Sequence, residues 1–325
     1  MVFVLIALAL VFDFLNGFHD SSNVVATPIS SGAMNPRTAL YTAAVTHFVA
    51  PFLFGVAVAT AIGEGLLDDR AITINVVIAG LLSAVIWNLL TWYLGLPSSS
   101  SHALIGGLLG AAVLEEGIGV VQIDGLTKII IALLISPPLG LVVGFIIMKL
   151  TLWLARKAPP SVNTGFRRAQ IFTLIGLALS HGTNDAQKTM GVITMGLLAA
   201  GLIPSFHVPV WVIAMSSGAI AAGTALGGWR LIRTLGTKIY RIRPIHGFAS
   251  QISGASVIMA AALVGGPVST TQVMSSAIMG VGAAERLSKV RWLVLRDLAA
   301  AWLLTIPVTA AFAALVLLGL NVLGV

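Results

Sequence analysis

In a chain with 58% hydrophobic and only 9% charged residues, the stretch "NGFHDSSNVVAT" (16–27) sets Asn16, His19, Asp20, Ser21, Ser22 and Asn23 almost side by side. A second cluster, "SHGTNDAQKTMG" (180–191), holds His181, Thr183, Asn184, Asp185 and Lys188. Apolar sequence surrounds both, interrupted ahead of the first only by Asp13. An Asp at the centre of a membrane helix costs roughly 2.5–3.5 kcal/mol on insertion scales. A lone Asp can simply cap a helix near the headgroups. Two, each beside Gly, Asn and a hydroxyl residue, point to a shared site. Asp20 with Asn23, and Asp185 with Asn184, offer carboxylate and amide oxygens to a coupling cation, Na⁺ or H⁺. If the cation is Na⁺, Asp20 and Asp185 are its metal ligands.

The donors for an anion lie in the same clusters and in two further runs. "PSSSSHALIGGLLGA" (97–111) contains Ser99, Ser100, Ser101 and His102, and "PVSTTQVMSSAIMGV" (267–281) contains Ser269, Thr270 and Thr271. Pro97 and Pro267 suit a helix start, where hydroxyls and free first-turn amides can hold an oxyanion. Ser21, Ser22, Asn23 and Thr183 extend the donor set. Lys188 either contacts the anion or pairs with Asp185 three residues earlier. Gly17 and Gly182 read as helix breaks, with a new helix starting after each. Small residues also serve helix packing, which is the reading given to Gly106–Gly110 and Gly140–Gly144. His47 reads as a hydrogen-bonded packing residue, and His207 and His246 as loop positions. Asp13 faces the same cavity as Asp20 or bonds to a neighbouring helix.

What must position these residues is a set of membrane helices. A soluble domain carries about 25% charged residues, and the apolar runs here recur near the ~20 residues that cross a bilayer. The fold class is therefore all-α, polytopic and membrane-embedded. With no cysteine, disulfides and thiolate metal sites are excluded. The net charge of +7 gathers in short connections, a topology signal rather than a nucleic-acid surface. The N-terminal run reads as a first span and not a removable signal.

Ten apolar segments are expected, near 2–30, 38–63, 71–96, 100–121, 126–156, 166–202, 208–228, 245–265, 270–285 and 291–323. Segments 2–30 and 166–202 exceed one straight span, so broken or re-entrant helices are expected there. The connections at 149–168, 230–243 and 286–296 are basic; those at 64–70 and 115–124 are acidic. Basic loops inside the cell place both termini outside. Gly17-x-x-Asp20 recurs as Gly182-x-x-Asp185 at an offset of 165 residues, and the two Pro-containing runs recur at 170. Five segments per half make the repeats inverted in topology, as in many secondary transporters. The expected organisation is 1–157 and 166–325 as repeats, joined by a cytoplasmic linker at 158–165.

On these residues the chain resembles the inorganic phosphate transporter (PiT) family, in a short prokaryotic form. "FDFLNGFHDSSNVVAT", "SHGTNDAQKTMG", "PSSSSHALIGG", "GGWRLIRTLGTKIYRIRP" and "GPVSTTQVMSSAIMGVGAAERLSKVRW" carry the resemblance in order. It implies a symporter that moves phosphate, free or complexed with a divalent metal, together with H⁺ or Na⁺ by alternating access. Gln272 stands where the family often has His, and Gln251 where many bacterial members have Glu. The expected partners are inorganic phosphate and membrane lipid, with a homodimer as an option and no nucleic acid; no resident cofactor is expected. The expected location is the cell (inner or plasma) membrane. A permease for sulfate or another oxyanion is the first alternative. A membrane-embedded serine hydrolase using Ser101 and His102 is the second, weakened by the lack of a G-x-S-x-G elbow.

Overall fold

The computed structural model describes residues 1–96, 98–234 and 242–323. Pro97, and Lys238 and Arg241 of the basic 230–243 connection, lie outside the described residues. The described chain is almost entirely helical. In the first half run α1 (Val2–Ser30), α2 (Pro36–Phe54), α3 (Ala57–Gly63), α4 (Ile74–Leu94), α5 (Ser100–Glu116) and α6 (Ile123–Leu154). The second half holds α7 (Val162–Ala199), α8 (Val210–Leu226), α9 (Trp229–Arg233), α10 (Pro244–Leu263), α11 (Thr270–Glu285) and α12 (Trp292–Val322). Four helices are long and apolar enough to cross a membrane among the described residues, or five if the bent pair α2–α3 counts as one span.

Local chemistry sets the helix starts. The side chains of Asn35, Thr73, Ser99 and Ser269 each accept a backbone N–H of the first turn of α2, α4, α5 and α11, relieving amides that have no partner within the helix. Helices α5 and α11 are only 17 and 16 residues long. At 1.5 Å per residue both fall short of the roughly 30 Å hydrocarbon layer.

The surface and core are distributed as a lipid solvent requires. Phe3, Phe172 and Leu303 are 87%, 75% and 75% exposed, while Asp20, Asn184, Asp185 and Lys188 are buried. The helices of the two halves interleave. Helix α1 packs on α8 and α7 on α2; α5 packs on α12 and α11 on α6; α4 packs on α1 and α10 on α7. Gly140 and Gly144 of α6 lie against the backbone of Val273 and Ala277, and Gly106 and Gly110 of α5 against Ile306 and Ala310. Both glycine pairs are packing surfaces, as their spacing suggests.

The expected breaks at Gly17 and Gly182 do not occur. Helix α1 runs unbroken for 29 residues and α7 for 38. Each glycine lets another helix approach instead. A Cβ on Gly17 would meet the Ile220 carbonyl oxygen of α8 at 2.1 Å, and one on Gly182 would meet His47 of α2 at 3.0 Å. The break lies elsewhere, between α2 and α3, where the chain bends by 79° at Gly55 (φ 78°). Helix α7 also begins at Val162, inside the stretch expected to be linker. His246 is no loop residue: it is buried in the first turn of α10, 3.4 Å from the Glu285 carboxylate. His207 is exposed outside the helices, as expected.

Candidate functional site

Helices α1 and α7 carry the two polar clusters, and the N-termini of α5 and α11 are brought to them. The Thr270 hydroxyl at the start of α11 lies 3.3 Å from Asp20 Oδ2 and 3.1 Å from Asp185 Oδ2. Thr271 donates to Asp20 Oδ1 at 3.0 Å and accepts from Asn23 Nδ2 at 3.0 Å. His19 Nδ1 lies 3.1 Å from Asp20 Oδ1, and His181 Nε2 lies 3.2 Å from Asp185 Oδ2. Every one of these side chains is buried.

Lys188 is the one lysine or arginine found buried among the described residues. Its ammonium donates to Asp185 Oδ1 at 2.5 Å, Ser101 Oγ at 2.6 Å and the Val268 carbonyl at 3.1 Å. Ser101 also donates to the Val268 carbonyl, at 2.9 Å. Asn184 Nδ2 donates to the Gly266 carbonyl and its Oδ1 accepts from Val268 N–H, so it braces the stretch leading into α11. The pairing of Lys188 with Asp185 suggested by their spacing is thus made, and both sit against the helix starts.

Other candidates are engaged away from the aspartate pair. Ser21 donates to the Phe18 carbonyl and accepts from Gly228 N–H, between α8 and α9. Ser22 donates to the His19 carbonyl, and Thr183 reaches the Ala50 carbonyl at 3.5 Å. Ser99 and Ser269 serve as N-caps of α5 and α11, and Ser100 is buried in the first turn of α5. His102 Nδ1 pairs with Ser99 Oγ at 2.6 Å, not with Ser101, so the proposed serine–histidine dyad is not formed. Asp13 is fully buried on α1 beside Thr189 of α7. His47 bonds to Thr224 at 2.8 Å and stacks on His181, ring centroids 4.8 Å apart.

One residue of importance had no reading from sequence. Gln187 Oε1 accepts from Val58 N–H at 2.8 Å and Ala59 N–H at 3.3 Å, and its Nε2 donates to the Gly55 carbonyl at 2.7 Å. It closes the break between α2 and α3 from a position two residues after Asp185. The available signal was an amide within "NDAQK", a motif already singled out for its carboxylate.

The ligand atoms of Asp20, His181 and Asp185 all lie within 4.8 Å of one another. The two carboxylates and the Thr270 hydroxyl are hard oxygen donors that suit an alkali cation or a proton, whereas the His181 imidazole is a ligand that softer metals prefer. Buried carboxylates, an ammonium and two converging helix starts, inside a bundle with an apolar exterior, define a multi-pass membrane protein with a buried polar cluster at its core.

A sequence profile of the phosphate transporter family matches residues 16–313. A "probable low-affinity inorganic phosphate transporter" of Rhizobium meliloti is 44% identical over 96% of this chain and 94% of its own length. One of the same description from Bacillus subtilis is 41% identical over 99% of this chain and 98% of its own. The chain belongs to the phosphate transporter family. A solved structure described as the sodium-dependent phosphate transporter superposes with a TM-score of 0.88, covering 99% of both chains at 23% identity, so the fold is shared. Membership in a family of transporters sets the hydrolase reading aside.

Proposed function

We propose that this protein is a secondary symporter that carries inorganic phosphate into the cell with a coupling cation by alternating access. The observation that carries the reading is the meeting of Asp20 and Asp185 at the Thr270 hydroxyl, where the start of α11 supplies donors for an anion. Phosphate binds at Ser99–Ser101 and Ser269–Thr271, between the starts of α5 and α11. The names given to the Rhizobium and Bacillus relatives support phosphate over sulfate.

The coupling cation is a proton in this reading, with Asp20 its carrier beside His19 Nδ1. Sodium is the second reading, favoured by the hard oxygens of Asp20, Asp185 and Thr270 that meet there. Either ion offsets the cost of taking an anion into a negative interior, about 2.3 kcal/mol per charge per 100 mV.

The proposal includes two inverted repeats, 1–157 and 166–325, in a ten-span arrangement of the cell membrane with both termini outside, the short α5 and α11 each crossing together with the residues that lead into it. Support comes from reciprocal contacts. Asn23 and Lys188, 165 residues apart, bond respectively to Thr271 and Ser101, which occupy matching places in the runs repeated at 170. The packing of α5 on α12 is likewise mirrored by that of α11 on α6. Such i-to-j and j-to-i contacts are what a two-fold relation produces.

Uptake of labelled phosphate into proteoliposomes of the purified protein, with excess unlabelled sulfate or phosphate outside, tests the substrate. Phosphate should compete and sulfate should not. Equal competition by sulfate would contradict phosphate selectivity.

A further inference from the structure

Lys188 holds the place in the second polar cluster that Asn23 holds in the first. Their partners, Ser101 and Thr271, correspond as well. A neutral amide in one half is therefore matched by an ammonium in the other. An ammonium has three N–H groups. All three have oxygen acceptors here: a carboxylate (Asp185), a hydroxyl (Ser101) and a backbone carbonyl (Val268). Val268 lies in the non-helical stretch between α10 and α11, the kind of unwound backbone whose carbonyls coordinate Na⁺ in transporters built from repeats. The oxygen set around the Lys188 nitrogen is thus one that an alkali cation can use. In this arrangement the ammonium has no N–H left for phosphate.

We infer that Lys188 is a tethered cation, its ammonium standing in the second of two related cation positions, so that only the Asp20 side takes a mobile ion. The inference rests on the symport reading for its meaning. Within the site, two carboxylates and one ammonium leave a single negative charge, which one monovalent ion neutralises. A fixed charge at one position removes the requirement for a second transported ion and lowers the number of cations moved per phosphate.

The test replaces the ammonium with the amide of the matching position. Purified Lys188→Asn, Lys188→Met and wild-type proteins are unfolded thermally in NaCl and in choline chloride. A free cation that binds only the folded form raises Tm. Na⁺ should raise the Tm of Lys188→Asn by roughly 1–2 °C more than that of wild type, the size expected of about 1 kcal/mol of binding in a chain of 325 residues. Lys188→Met, which offers neither charge nor oxygen, should show no such gain. Recovery of Lys188→Asn in folded form only when Na⁺ is present also supports the inference. A Lys188→Asn protein with the wild-type response to Na⁺, or one unfolded in both salts, overturns it. The readout needs no transport, so a failure of the symport reading is seen separately, as a wild-type protein that moves no phosphate.

Discussion

Asp20 and Asp185 meet across a single hydroxyl, that of Thr270, at 3.3 and 3.1 Å. A hydroxyl carries one proton and can serve one carboxylate at a time. The Asp185 side also has Lys188, whose ammonium sits on its other oxygen. Asp20 is held by Thr271 and His19 and, among the described residues, has no ammonium or guanidinium as a hydrogen-bond partner. The two carboxylates are thus repeated in sequence yet unequal in surroundings, and a mobile cation belongs with the less compensated one.

The inequality predicts different stability costs. Asp185→Asn leaves a buried ammonium without its carboxylate, which costs about 3–5 kcal/mol when a buried pair is broken. Asp20→Asn breaks no such pair and should cost less. Thermal unfolding of both purified variants checks this, and equal losses of Tm would contradict the assignment of Lys188 to Asp185.

Glycine substitutions test the packing account of α1. Gly17→Ala places a methyl group against the Ile220 carbonyl and should destabilise by about 1–3 kcal/mol, as overpacking does. Gly176→Ala on α7 meets no atom within 4 Å and should be neutral or stabilising by about 0.5–1 kcal/mol. Matching Tm values for the two variants would be inconsistent with close approach at Gly17.

Gln187 is expected to hold the bend between α2 and α3. Gln187→Ala removes its bonds to Val58 N–H, Ala59 N–H and the Gly55 carbonyl, and each buried group left unsatisfied costs about 1–3 kcal/mol. Hydrogen exchange at residues 55–60 should accelerate in the variant while the middle of α6 stays protected. Unchanged exchange at the bend would show that Gln187 does not hold it.

Much of this site could be read from the chain. Pro267 followed by Ser269 announced the start of α11, because a serine cap satisfies amides that the helix itself cannot. The placing of Asp185 three residues before Lys188 leaves pairing and anion contact as alternatives, and the structure shows the pair. At Gly17 and Gly182 the sequence is ambiguous, because a helical glycine signals close approach as readily as a break. Only the neighbouring helix, some 130–200 residues away, decides between them. Gln187 was missed for the same reason, since Gly55 and Val58 lie far off in sequence. At His246 the sequence does not separate a loop from a first helical turn; Arg243 and Glu285 join it at the start of α10.

Topology can be tested without removing native thiols, since the chain has no cysteine. Pro160→Cys should resist membrane-impermeant maleimide in intact cells and react after permeabilisation, because the Lys and Arg residues around it favour the cytoplasmic side. Labelling from outside would invert the proposed orientation.

The central claim is that phosphate accumulates against its gradient through cation coupling at Asp20. Its most direct measurement is phosphate accumulation in proteoliposomes given an inward pH gradient as the sole driving force, for wild type and Asp20→Asn. The wild type should accumulate phosphate above equilibrium and lose that excess on addition of a protonophore, while a folded Asp20→Asn should never exceed equilibrium. Wild-type accumulation that ignores the pH gradient and follows a Na⁺ gradient would replace the proton with sodium. Concentrative uptake by Asp20→Asn equal to that of the wild type would contradict the account.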